Sequence, residues 1–195
     1  MENKQDNIKI ISKDTLSDNW GKLFKVAFEC QLPHGTIQTQ KREIYDRGNG
    51  VVILLYNKEK QTVVLTRQLR MPTWFNGNDS GLMIEACAGM LDENDPEECV
   101  RRETEEETGY TLTDVKKIME VYMSPGSVTE IIHFFTGAYS EDMKTGKGGG
   151  AEKEQENIEV MELPFVRALA MVTSGEIKDA KTIMLLQYAQ INNLV

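Results

Sequence analysis

The run VVILLY at residues 51–56 constrains this chain more than any other stretch. An unbroken apolar run rich in β-branched side chains reads as a strand buried on both faces, hence a central one. It is far too short to cross a bilayer. Other strand candidates surround it at 20–32, 35–47, 62–70, 82–88, 116–123 and 131–139. DRGNG (46–50) and NGNDSG (76–81) carry turn chemistry, and SPGSVTE joins the last two strand candidates. Residues 140–157 are charged and glycine-rich, and the chain ends in helical patterns at 164–175 and 180–194. Many strands around one central helix, with helices at the end, give a mixed α+β or sandwich architecture. Residues before about 45 form a separate small sheet on this reading.

The chain has 195 residues, 40% of them apolar, enough for one domain or one core with an appendage. MENKQDNIKI lacks the basic-then-apolar form of a secretory signal. Cys30, Cys87 and Cys99 form no CxxC pair, and an odd count argues against a disulfide framework. With only His34 and His133 present, a zinc site of Cys/His spacing is not expected. A reduced, cytoplasmic chain with no membrane partner is the expectation. The net charge of −9 argues against wrapping nucleic acid. It leaves room for a small phosphorylated ligand, because a divalent cation bridges carboxylates to phosphate.

The central helix is framed by local signals. Asp95 suits an N-cap, Pro96 the first helical position and Glu98 the third, while Gly109 supplies a left-handed stop. Between them RRETEEETGY (101–110) places Glu103, Glu106 and Glu107 on one side, with Val100 and Thr104 on an adjoining stripe that packs inward. Arg102 sits four before Glu106 and pairs with it. A solvated acidic face is the plain reading of such a run. Two facts oppose it. The acids crowd the C-terminal end, where the helix dipole disfavours anions, and they are not interleaved with lysine. Carboxylates set against local electrostatics are what a hard, oxygen-liganded cation requires.

RETEEETGY (102–110) resembles the R-E-U-x-E-E-x-G-U core of the Nudix hydrolases, with Gly89 at the start of the longer signature. Three departures stand out: Gly89 to Arg102 is one residue shorter than the common spacing, Asp95 stands where glutamate is usual, and Thr104 replaces an aliphatic residue. KREIYDRGNG (41–50), ILLYN (53–57), CAGMLD (87–92), YMSPGSVTEIIHFF (122–135), GGG (148–150), IEV (158–160), ELPF (162–165) and GEI (175–177) extend the likeness to bacterial GDP-mannose pyrophosphatases, which share the shortened box.

The resemblance implies an α/β fold, a Nudix α/β/α sandwich with a small N-terminal antiparallel β-sheet. Residues 1–45 would be the β-strand region that makes a homodimer, with exchange of the small sheet as a variant, and 46–195 the hydrolase domain. It implies Mg²⁺-dependent hydrolysis of a nucleotide sugar, GDP-mannose, to GMP and mannose 1-phosphate. Catalytic residues would be Glu103, Glu107 and Glu156, and metal ligands those three with the Ala88 carbonyl. Substrate positions carried over are Trp20, Lys41, Arg42, Glu43, Arg70, Ala88, Gly89, Met90, Glu107, Glu130, Gln155, Glu156 and Lys181. Glu154 stays a rival to Glu156. As bare sequence, Trp20 reads equally as an apolar strand residue, Lys41–Glu43 as an exposed strand, Met90 as core and Lys181 as a solvated cation. Glu85 supports the site without an assigned role, and His133 reads as structural. The 140–157 loop is expected to be ordered by substrate and metal. Two other readings stand beside this one: an ADP-ribose hydrolase, since Pro125 lies sixteen residues after Gly109, and a non-catalytic ligand sensor. The intact acid set argues against the sensor.

Overall fold

A computed structural model of the chain describes residues 7–91, 95–151 and 156–195. It forms two compact units, one of residues up to Asn49 with Tyr122–Ile131, the other of Gly50–Val121 with Ile132–Val195.

The first unit is a three-stranded antiparallel sheet in the order β1 (Ile8–Asp18), β2 (Lys22–Gln31), β3 (Ile37–Asp46). The sequence reading begins its strands at 20 and does not name β1. Register shifts at Ile10/Ser12 and Thr15/Ser17 interrupt the two-residue alternation by which a strand is recognised. At the end of β3, the Tyr45 N–H donates to the Ser127 carbonyl at 2.8 Å, and the Thr129 N–H donates to the Tyr45 carbonyl at 3.1 Å.

In the second unit, β4 (Gly50–Asn57) is the central strand the apolar run predicts, with Val51–Leu55 at 0% exposure. It pairs in parallel with β9 (Ile131–Ala138) and antiparallel with β5 (Thr62–Leu69). β8 (Lys116–Tyr122) and β10 (Glu159–Pro164) close the two edges. β10 lies within a charged segment not read as strand, since EVMELP offers little apolar run and ends in proline, as edge strands do. The predicted strand 82–88 is instead two, β6 (Leu82–Glu85) on β5 and β7 (Cys87–Met90) on β4, with Ala86 in neither ladder. A four-residue helix, α1 (Met71–Trp74), precedes them.

The helix α2 (Pro96–Thr108) covers one face of the sheet. Its Cys99 and Val100 join Val51, Ile53, Leu55, Phe135, Tyr110 and Leu112 in one buried cluster. The alternate residues Val52 and Leu54 face the other way and are equally buried. The helices α3 (Phe165–Ser174) and α4 (Ala180–Ile191) pack on β5 and β10 and on β4, completing the α/β/α layering. Among the described residues no helix is long and apolar enough to cross a membrane.

The ends of α2 follow the sequence signals. Asp95 accepts from the Glu97 N–H at 2.8 Å, Pro96 opens the helix, and Gly109 stops it at φ 77°. The next segment folds back onto this stop, Thr145 and Gly146 both donating to the Gly109 carbonyl. A Cβ on Gly109 would come within 2.3 Å of the Gly146 carbonyl oxygen, a backbone atom that cannot swing away. We expect Gly109→Ala to destabilise the fold by about 2–4 kcal/mol, combining left-handed strain with this collision. Urea unfolding should show a lower midpoint at unchanged slope.

Candidate active site

The two sequence-proposed helical acids, one turn apart on α2, meet β7 differently. Glu103 lies against Gly89, where a Cβ would stand 2.1 Å from the Glu103 carboxyl carbon, so a side chain at 89 would displace that carboxylate. Glu107 is 1% exposed; its Oε2 accepts from the Ala88 N–H at 3.2 Å, and its carboxyl group also pairs with the Cys87 thiol. Outside them, Glu105 and Glu106 are solvated. Arg102 bridges Glu103 at 2.9 Å and Glu106 at 3.3 Å, the second being the predicted pair. The acidic run is therefore not one solvated face. It sorts into an inner carboxylate, a half-covered one and an outer fringe.

The glycine-rich segment after the helix supplies a third acid. Gly149 donates to the Glu107 carbonyl at 2.8 Å and Gly150 to the Glu106 carbonyl at 3.1 Å, satisfying backbone acceptors that the helix end leaves unpaired. Glu156 is then held by the Ala151 N–H on its Oε2 at 3.1 Å. Gln155 and the rival Glu154 lie outside the described residues. Burial pushes the Glu107 carboxyl up to about 8. The Cys87 and Ala88 hydrogen bonds oppose this, and the charges of Glu156 and Glu103 add to it.

Two basic groups are held nearby, and the charges of Glu107 and Asp179 both act on Arg70. The Arg70 guanidinium donates from Nε (2.9 Å) and from a terminal nitrogen (2.7 Å) to one oxygen of buried Glu85. Lys181, near the start of α4, is held by Asp179 at 2.6 Å. Asp179 also caps α4 through the Thr182 N–H, and the Thr182 hydroxyl accepts from the Ala86 N–H at 2.6 Å. Met90 is exposed rather than part of the core.

Trp20, Lys41, Arg42, Glu43 and Glu130 belong to the first unit. Trp20 is 67% exposed, with the Arg47 guanidinium over its ring at 5.0 Å. Arg47 Nε is also 3.3 Å from Glu130. Lys41, Arg42 and Glu43 are exposed on β3, where Arg42 donates to the Lys41 carbonyl and to Gln40. His133 on β9 faces Glu120 of β8 at 3.4 Å. Sequence reasoning missed Cys87, Arg47, Asp179 and Thr182 and left Glu85 without a role. Asp179 carries a readable signal, an aspartate just before a helical pattern with threonine three residues on.

Glu103, Glu107, Glu156 and the Ala88 carbonyl would together offer oxygen donors of the kind a hard divalent cation takes. Two observations support the fit: the Glu107 carboxyl is held up by burial and by two neighbouring acids, and Gly89 leaves room that Glu103 fills. Among the described residues, no three acidic, histidine or cysteine side chains already converge in ligand geometry. Mg²⁺ suits such a partial cage, because water and substrate phosphate complete its shell.

Comparison with known proteins extends this picture over the whole chain. Residues 46–184 match the NUDIX domain, and residues 7–45 match the GDP-mannose pyrophosphatase NudK N-terminal domain. The GDP-mannose pyrophosphatase of Pectobacterium atrosepticum is 54% identical over 94% of either chain. Those of Klebsiella pneumoniae (51%, covering 97% of this chain and 94% of its own) and Escherichia coli O157:H7 (52%, covering 96% and 97%) are similar. A crystal structure of an ADP compounds hydrolase shares the fold, with a TM-score of 0.72 over 97% of each chain at 14% identity. The box read from Arg102 to Gly109, the acids it places around Ala88 and a domain match over most of the sequence agree, and the chain belongs to the Nudix family.

Proposed function

We propose that this protein hydrolyses GDP-mannose to GMP and mannose 1-phosphate with the help of Mg²⁺. The observation that carries the hydrolytic reading is the inner carboxylate. Glu107, excluded from water and flanked by Glu103 and Glu156, is a costly arrangement that a bound cation relieves. The substrate reading is supported by the GDP-mannose pyrophosphatases that match more than nine-tenths of the chain.

Mg²⁺ held by Glu103, Glu107, Glu156 and the Ala88 carbonyl would supply charge neutralisation for the diphosphate and Lewis acidity at phosphorus. Around it the chain's own groups divide the work. Arg70, oriented by Glu85, directs its remaining N–H groups at a phosphate oxygen. Lys181, steadied by Asp179, adds a second cationic contact. Glu156 sits on the loop, within reach of solvent, and takes a proton from the attacking water. The substrate roles of Trp20, Lys41, Arg42, Glu43 and Glu130, all exposed or partly exposed in the first unit, belong to the same proposal. A homodimer fits the first unit: Ile8, Ile10 and Ile37 are 57%, 58% and 66% exposed on a three-stranded sheet that is marginal without cover. Light scattering should return twice the chain mass; a monomer at working concentration would refute it.

Product chromatography with Mg²⁺ against a panel of nucleoside diphosphate sugars tests the substrate. GDP-mannose should be cleaved fastest, and a preference for ADP-ribose or no cleavage at all would overturn the reading. Glu103→Gln and Glu107→Gln should fold and lose about 10²-fold or more in turnover. Near-parental rates in both at saturating Mg²⁺ would remove the assignment.

Glu107 also makes a stability prediction for the metal-free protein. Its folded carboxyl titrates near 8 against 4.5 unfolded, so between those values the folded state binds the extra proton. Stability should therefore fall as pH rises from about 4.5 to about 8 and level off above. Glu107→Gln removes this loss. In EDTA the variant should unfold at higher urea than the parent at pH 8.5, by a few kcal/mol, and about equally with it near pH 4.5. Adding Mg²⁺ should stabilise the parent and not the variant. Parallel curves across the window would show that the carboxyl is not strained.

A further inference from the structure

The strand that carries Ala88 changes partners at Ala86. Residues 82–85 pair with β5 and 87–90 with β4, so Ala86 stands at the join with no ladder of its own. Its N–H is nevertheless satisfied, 96 residues away in sequence, by the Thr182 hydroxyl at 2.6 Å. The direction of this contact is fixed by chemistry. An amide can only donate, so the hydroxyl accepts from Ala86 and sends its own proton to Asp179 Oδ2, 2.7 Å away. The same oxygen accepts from the Thr182 N–H at 2.9 Å, and Asp179 Oδ1 accepts from the Lys181 ammonium at 2.6 Å. Thr182 is 0% exposed and the Asp179 side chain 11%, so neither contact is shared with bulk water.

An ordinary N-cap needs one carboxylate oxygen on one helix N–H. Asp179 does more than that, and its additional contacts lead to the site. One residue before Ala86, Glu85 holds Arg70; two residues after it, Ala88 donates to Glu107. The acid side and the guanidinium side of the site thus hang from opposite ends of one four-residue stretch, 85–88, which is pinned to α4 at its second residue. The carboxylate that orients the pin also holds Lys181.

We infer that Thr182, oriented by Asp179, is a positioning residue that locks the Ala86 kink and so sets Ala88 and Arg70 relative to Lys181. This rests on the proposed role of Ala88 in holding the divalent cation and of Arg70 and Lys181 in meeting the diphosphate. Thr182→Val keeps the shape, removes the hydroxyl and leaves the Ala86 N–H without its acceptor. Thr182→Ser restores the hydroxyl. Asp179→Asn, with its amide oxygen turned to Thr182, keeps the cap and releases Lys181.

Two readouts on the full chain test the lock: Mn²⁺ affinity without substrate, by electron paramagnetic resonance, and kcat and KM for GDP-mannose. Thr182→Val should weaken Mn²⁺ binding and lower kcat, each by about 10-fold or more, the range found when a supporting hydrogen bond behind a metal ligand is removed. Thr182→Ser should recover most of both. Asp179→Asn should raise KM by about 10-fold with little change in Mn²⁺ affinity or kcat, the signature of a lost substrate contact. Equal impairment of the valine and serine variants would reduce Thr182 to packing and overturn the inference, as would parental Mn²⁺ affinity in a folded Thr182→Val. Should Thr182→Val fail to fold, Thr182→Ala takes its place, and parental Mn²⁺ affinity in that variant overturns the inference. If the parent does not cleave GDP-mannose but Thr182→Val still loses Mn²⁺ and Thr182→Ser regains it, the substrate reading fails and the lock stands.

Discussion

The contact between the Glu107 carboxylate and the Ala88 N–H, inside the sheet–helix interface, organises everything around it. A carboxylate taken out of water loses several kcal/mol of hydration, and one amide with one thiol returns only part of it. The remainder is tolerated because the surroundings cannot yield. Val51, Ile53, Val100 and Tyr110 pack the same interface to near-zero exposure, and the Gly149 amide ties down the Glu107 backbone carbonyl. The strain is kept where it has a use: an acid already stripped of water and held in place does not need reorganising when a cation arrives.

Gly89 and Gly109 mark the two ends of that arrangement for different reasons. At Gly89 the limit is approach, since Glu103 occupies the space of a side chain. At Gly109 it is direction, since a left-handed residue is needed to reverse the chain so that 145–150 can return over the helix end. The helix dipole that should repel acids here is offset by these returning amides. Glycine, not lysine, answers the anionic end of α2.

Legibility in the sequence followed the range of the interactions. The α2 helix could be read residue by residue, because Asp95, Pro96 and Gly109 act within a turn of where they stand. The central strand was equally plain, because burial on both faces leaves an unbroken apolar run. β1 was hidden by its two register shifts and β10 by its charged edge, and no local signal announces that 82–90 divides between two neighbours. In the site, the Glu103/Glu107 spacing was visible, whereas Cys87 and Thr182 were not. A lone cysteine or threonine carries no pattern, and its meaning arises only when distant chain segments, such as Ala86 and Thr182, 96 residues apart, are brought together.

On the proposed function, the charges at the site bear on how an acidic protein would take a diphosphate. Arg70 is matched by Glu85, and Lys181 by Asp179, so the basic groups are fixed in place but largely neutralised. The acids Glu103 and Glu156 lie beside Glu107, and Arg102 stands 2.9 Å from Glu103. On that reading, such a site would repel a diphosphate until a divalent cation is present, and would hold the cation loosely until phosphate oxygens complete its shell. Cation and diphosphate therefore favour each other's binding by the same free energy, whichever arrives first. The paired basic groups fit this scheme: unpaired, they would draw in any phosphate without metal, and the site would fill with ligands that its acids cannot help to cleave.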